Sequence, residues 1–221
     1  MAGGKAGRSR QKPPRSLVPS LRWEREAWRE GAATVAGVDE VGVGPLAGPV
    51  TSAAVMLTPN DRRKWFRRVR DSKTLTAPVR EELAAEIEAS IPFGVGWATS
   101  EEIDRIGIMA ARRVSVLRAV EALPCVPDLV ISDALQLPLL PNVRAEVKAD
   151  ARSVSVAAAS IVAKVARDQW MRELCERIPG YGFCQNKGYS TPQHRDAIDR
   201  RGPCTAHRVS WAPFAQLRFE L

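Results

Sequence analysis

Residues 34–49, TVAGVDEVGVGPLAGP, constrain this chain more than any other stretch. Alternating apolar residues over 34–41 predict a β-strand. The strand ends on two adjacent carboxylates, Asp39 and Glu40. Gly42, Gly44 and Gly48, with Pro45 and Pro49, then turn the chain at once. Burying one carboxylate is costly, and two neighbours repel each other. A bound cation removes both penalties, so the stretch reads as a place where metal and phosphate meet. One geometric condition applies. Successive side chains of a strand point to opposite faces, so both acids serve one site only if the strand bends, or if Glu40 also ligates through its backbone carbonyl. The run from Gly42 to Ala47 formally matches the dinucleotide fingerprint G-x-G-x-x-[GA]. That fingerprint needs a helix straight afterwards, whereas a strand-like VTSAAVML follows here. The glycines instead let the backbone approach a ligand closely.

Further strands are predicted over 50–57, 93–98, 128–132 and 143–147. Helices are predicted over 76–89 and 153–173, with one more near 191–201. Capping-box spacing at Thr99-Ser100-Glu101-Glu102 opens another, running to about residue 123, with Ile103, Ile106, Met109, Val116 and Val120 as core positions. Residues 61–70, DRRKWFRRVR, carry a dense basic run of the kind that usually covers a solvated helix face, but its position just before Asp71-Ser72-Lys73 favours a phosphate-facing role, with Trp65, Phe66 and Val69 as a buried stripe. This order of elements predicts an α/β fold, a mixed sheet with helices packed on it.

The chain has 221 residues, 45% of them apolar, enough for one ordinary domain. Its formal charge of +8 favours an anionic partner such as nucleic acid. Residues 1–30 read as a basic, disordered tail, with a short helix possible over 21–31, anchored by Trp23 and Trp28. Residues 31–177 form the main domain, and 178–221 a small helical extension. No apolar run is long enough for a membrane helix. Cys125, Cys175, Cys184 and Cys204 form no C-x-x-C pair, which argues against zinc and for reduced thiols in a cytoplasm.

Three strand-like runs end in acids: Asp39-Glu40, Asp133 and Asp150. Strand ends are where open α/β sheets build their sites. Four carboxylates there suit two Mg²⁺ or Mn²⁺ ions, which prefer oxygen ligands. Such a pair clamps the attacking and leaving oxygens of a phosphodiester. Asp150 also fits as a helix cap, and Asp168 sits four residues after Lys164, ordinary spacing for a helix ion pair. The residues alone leave the fourth acid open between Asp150 and Asp168. Asp104 and Asp128 read as solvated.

Five motifs occur in order: VAGVDEVGVGPLAGPV, DSKTL, VISDA, VKADARS–AAASIVAKVARD, and YGFCQNKGYSTPQH–GPCTAHRVSWAP. Together they resemble bacterial ribonuclease HII over residues 31–213. The resemblance implies a ribonuclease H-like fold with a small C-terminal helical extension. It implies hydrolysis of the RNA strand of RNA–DNA hybrids, and nicking of duplex DNA 5′ of embedded ribonucleotides. By motif, the catalytic and metal-binding acids are Asp39, Glu40, Asp133 and Asp150. Gly42-Val43-Gly44 and Tyr189 would read the ribose 2′-hydroxyl, the group that marks RNA. Lys73, Ser72 and Lys164 would bind phosphates. Two positions depart from the family pattern: Val43 stands where an arginine is usual, and Asn186 where a histidine is. The expected protein is a cytoplasmic monomer using Mn²⁺ or Mg²⁺, with no motif for a replication-clamp partner. The alternatives are a catalytically impaired hybrid-binding protein, for which Val43 speaks, and another two-metal nuclease of the same fold.

Overall fold

The structure is a computed structural model, described here for residues 18–212 and 214. Helix α1 (Arg22–Arg29) precedes the hairpin of β1 (Val35–Val41) and β2 (Val50–Leu57). Helix α2 (Ala77–Glu88) leads to β3 (Phe93–Ala98), then α3 (Ser100–Ile106) and α4 (Ile108–Glu121). Strands β4 (Leu129–Asp133) and β5 (Val143–Glu146) follow. The long α5 (Val154–Arg177), the short α6 (Phe183–Asn186) and α7 (Pro192–Arg201) complete the chain. The sheet order is β3-β2-β1-β4-β5. β1 runs antiparallel to β2 and parallel to β4, which makes the sheet mixed, as the order of elements predicts.

Both faces of the central strands are covered. Ala36 and Val38 pack with Val116 and Val120 of α4, while Val35 packs with Val156 of α5. All eight residues of β2 are buried for the same reason. Helix α5 lies close because its inner face is small: Ala157, Ala158, Ala159 and Ala163 are fully buried. Gly37 completes the approach, since a Cβ there would overlap the Ser155–Val156 backbone. Glu24 of α1 is buried against the start of α5. Its Oε1 accepts from the Ser155 N–H at 3.0 Å and from the hydroxyls of Ser153 and Ser155. A carboxylate there satisfies orphan donors and complements the helix dipole.

Several expectations change. The helix predicted over 99–123 is two helices, because Gly107 has a left-handed φ of +77° that an α-helix cannot continue through. Ile106 and Met109, at that break, are exposed rather than core. The basic run over 61–70 forms only a 3₁₀ turn, Lys64–Arg67, with Trp65 and Val69 buried. Residues 18–30 are not a disordered tail: Trp23 and Ala27 are buried against β1 and α5, while residues 1–17 lie outside the described residues. Asp128 is exposed, in keeping with its reading as solvated, and it also accepts from the N–H groups of Ala33 and Thr34 at 2.8 and 2.9 Å, which sets the start of β1. Asp104 likewise holds the backbone of Val209 and Ser210. The thiols are not all reduced: Cys175 and Cys184 form a disulfide joining the end of α5 to α6, with Cα atoms 5.4 Å apart. Nothing in their spacing announced it. Among the described residues, no helix is long and apolar enough to cross a membrane.

Candidate active site

The acids meet where the parallel strands end together. The last paired residues of β1 and β4 are Val38 and Ser132, so Asp39 and Asp133 are the next residues on neighbouring strands. The chain then returns through β5 to a 3₁₀ turn, Ala149–Ala151, that carries Asp150. The Ala149 N–H donates to Asp133 Oδ1 at 3.0 Å and ties this turn to β4. Asp168, the rival fourth acid, instead pairs with Lys164 at 2.7 Å.

Proton affinities record the crowding. Burial pushes the Asp39 carboxyl well above its ordinary range; Glu40 and then Asp150 add to the push, while a hydrogen bond from Ser160 opposes it. Burial also raises Glu40, against the pull of Arg112. Asp150 is raised by burial, then by Asp133 and Asp71. Four half-buried carboxylates thus share one electrostatic neighbourhood, with too little positive charge to balance them. An all-oxygen donor set under such repulsion suits a hard divalent cation.

The side chains do not close around an ion. Among the described residues, no three His, Cys, Asp or Glu side chains are grouped tightly enough to hold one. The reason is the strand geometry. The β1–β2 register runs unbroken through Asp39, Glu40 and Val41, so no bulge turns both side chains to one face. Asp39 faces α5 and Ser160, while Glu40 faces α4 and pairs with Arg112.

Three non-glycine residues have left-handed backbones: Ala134, Lys148 and Lys187. Each lies one or two residues from Asp133, Asp150 or Tyr189. Such conformations cost about 1–3 kcal/mol each and cluster at functional sites.

The substrate-side residues divide. Tyr189 is 44% exposed, so it is not a core aromatic. Lys73 is exposed and close enough to lower the proton affinity of Glu40 and Asp150. Ser72 is buried and engaged with Ser160 at 2.9 Å, so its hydroxyl is not open to a phosphate. It instead backs the serine that bonds Asp39. Val43 is half-buried between Gly42, at φ +87°, and the exposed Gly44. Asn186 caps the next turn, accepting from the Gly188 N–H and donating to the Tyr181 carbonyl, both at 2.7 Å.

Sequence reasoning missed Arg112, Ser160, Arg167 and Arg208. For Arg167 a signal existed: the spacing of Ala163, Arg167 and Met171 puts it on the buried face of α5. Arg208 lies in a loop, where no periodicity marks burial.

The ribonuclease HII family model matches residues 36–214. The chain belongs to the ribonuclease HII family. Among curated relatives, the ribonuclease HII of Moorella thermoacetica is 48% identical over 191 residues, covering 86% of this chain and 91% of its own. That of Geobacillus kaustophilus is 46% identical over 199 residues, covering 89% of this chain and 75% of its own. Among solved structures, the ribonuclease H2 of Pyrococcus horikoshii superposes with a TM-score of 0.70 at 27% identity, over 85% of this chain and 98% of that one. As a ribonuclease HII, the chain is a divalent-metal-dependent endoribonuclease that hydrolyses the RNA strand of RNA–DNA hybrids.

Proposed function

We propose that this ribonuclease HII nicks duplex DNA on the 5′ side of single embedded ribonucleotides, leaving a 3′-hydroxyl, as well as cutting longer hybrids. The observation that carries the reading is the shared end of β1 and β4, with Asp39 and Asp133 side by side and the 42–49 loop next to them. Asp39, Asp133 and Asp150 would hold two ions, Mn²⁺ or Mg²⁺, with Glu40 joining through its backbone carbonyl, since its side chain is turned to Arg112. When bound, such ions lower the pKa of a water and offset charge building on phosphorus. The acids' own task is to remain ionised in a crowded site and to orient what they bind. Gly42-Val43-Gly44 and Tyr189 read the 2′-hydroxyl, and Lys73 and Lys164 contact phosphates. Ser72 acts from behind, through Ser160. Within the 178–221 extension, residues 178–212 complete the substrate face, residues 215–221 lying outside the described residues, and the protein works as a cytoplasmic monomer.

A DNA duplex with one ribonucleotide, given Mn²⁺ or Mg²⁺ beside an all-DNA control, tests this. Cleavage of the first alone supports the reading. Asp133→Asn should lower the rate by roughly 10²–10³-fold or more while leaving the fold intact; full activity in that variant would sink the metal-site assignment. Tight binding without cleavage would favour a hybrid-binding protein, the reading for which Val43 and the Glu40–Arg112 pair speak. Cutting of branched all-DNA substrates would indicate another nuclease of this fold.

A further inference from the structure

Two arginines, Arg167 and Arg208, are fully buried, and neither has a carboxylate partner among the described residues. Their guanidinium groups donate only to backbone carbonyls. Arg208 Nη1 donates to the Val43 carbonyl at 2.8 Å, Nη2 to those of Gly42 at 2.5 Å and Gly48 at 2.8 Å, and Nε to Gly48 at 3.1 Å. Arg167 holds the carbonyls of Pro49, Ala47 and Lys187 at 3.0, 3.2 and 3.1 Å. Buried charge without a counter-charge is expensive. Here both guanidinium groups converge on the loop that follows Asp39-Glu40, and Arg167 also ties it to Lys187.

The geometry has a directional consequence. In a trans peptide the carbonyl and the N–H of the next residue point in opposite directions. Drawing the Gly42 and Val43 carbonyls inward onto Arg208 therefore turns the Val43 and Gly44 N–H groups outward. Neither N–H has a partner among the described residues. They are donors free to meet an acceptor oxygen on a ligand.

The preceding residue braces the other half of the same surface. His194 Nδ1 lies 2.9 Å from the Tyr189 carbonyl, so it must carry the proton and donate. Its Nε2 then accepts from His207 Nε2, 3.1 Å away. His207 Nδ1 accepts in turn from the Cys204 N–H at 2.9 Å. One chain of hydrogen bonds, with every tautomer assigned by its neighbour, ends on the backbone of Tyr189.

We propose that the consecutive residues His207 and Arg208 are positioning residues that set ribonucleotide specificity. Arg208 aims the Val43 and Gly44 N–H groups at the ribose 2′-hydroxyl, and His207, through His194, sets the backbone under Tyr189. The proposal rests on the reading of Gly42-Val43-Gly44 and Tyr189 as the ribonucleotide sensor. It makes discrimination between ribose and deoxyribose depend on side chains that touch no substrate.

The test compares binding of a one-ribonucleotide duplex and its all-DNA counterpart in an Asp133→Asn background, with added Arg208→Met or Arg208→Lys. The expected result is a discrimination ratio reduced by roughly tenfold or more in the methionine variant, with all-DNA affinity little changed. Lysine, which keeps the charge but not the planar fork, should recover part of the ratio. An equal loss of affinity for both duplexes would mean a merely structural role and overturn the proposal. Should both variants fail to fold, the Asp133→Asn protein itself decides. Its Val43 and Gly44 amide resonances should move on adding the ribonucleotide duplex and not the all-DNA duplex; equal shifts with both would overturn the proposal. If the unmodified enzyme fails to nick the ribonucleotide duplex, the functional reading falls and this inference with it. Normal nicking with an unchanged ratio in the variants removes the inference alone.

Discussion

Arg112 donates its Nε–H to Glu40 Oε1 at 2.9 Å, while the adjacent Asp39 turns to the other face of the sheet toward Ser160. The two acids that share one strand end are thus held by different helices. Arg112 is the main influence keeping Glu40 ionised against burial. Removing it in Arg112→Met should raise the Glu40 proton affinity further. The acid limb of the kcat/KM profile should then move up by about one pH unit, a shift typical of losing a close opposite charge. A pH–rate profile of the variant checks this, and an unmoved limb would show that Glu40 does not need to be ionised.

Asp39 presents a trade between stability and function. Its folded-state proton affinity is raised, by burial first and then by Glu40. A group of this kind stabilises the fold below its unfolded pKa of about 4 and loses that contribution as pH rises through the folded value. As pH rises above that value, the raised proton affinity of this carboxyl therefore costs the metal-free protein stability. Asp39→Asn should make the metal-free protein more stable by about 1–2 kcal/mol at neutral pH, with the gap closing toward about pH 4. Mn²⁺ should stabilise the unmodified protein more than the variant. Thermal unfolding with chelator and with Mn²⁺, at both pH values, measures the difference; a variant less stable than the parent would contradict it.

Val43 removes one positive charge from the loop that carries the family resemblance. The Val43 carbonyl is already occupied by Arg208, so the backbone does not depend on this side chain. Val43→Arg should bind duplex more tightly and steepen the salt dependence by about one unit of slope. Preference for the ribonucleotide should stay unchanged. Titrations at several salt concentrations decide it, and a gain in junction preference would show that the side chain itself reads the sugar.

His207 supplies an acid-sensitive part of the stability. Burial, and then the neighbouring His194, push its proton affinity down to about 4. The unfolded chain takes up this proton near the ordinary value, so stability present above about pH 6.5 is lost as pH falls toward the folded value. The contribution is on the order of 3 kcal/mol. His207→Gln, which cannot titrate, should be less stable than the parent at neutral pH yet lose less on acidification. Urea unfolding across that range gives the answer, and parallel pH dependence in the two proteins would exclude His207 as the source.

Much of the molecule was legible from residue order. The strands predicted over 50–57 and 93–98 are found with those bounds, because both sit between clear turn residues. The helix predicted over 153–173 is found on the sheet, extended in the fold to Arg177. Gly107 was misread because a single glycine inside an apolar stripe does not announce its φ. The tasks of Asp104, Asp128 and Glu24 depend on partners 94 or more residues away, and the disulfide on how α6 returns to the end of α5; only Cys175 and Cys184 are near in sequence. No local pattern encodes such contacts.

By itself the sequence determined the chemistry on offer: acids at the ends of apolar strands, a glycine bend beside them, and motifs specific enough to name a family. These are local properties, fixed by side-chain type and period. Tertiary structure decided how the acids are held. Parallel pairing of β1 with β4 puts Asp39 next to Asp133, and an unbroken β1–β2 register sends Glu40 to the other face and Arg112. It also decided that two buried arginines, one in a helix and one in a distant loop, grip the same eight-residue bend. Burial and carbonyl direction arise only when separate segments pack together, so no reading of one segment contains them.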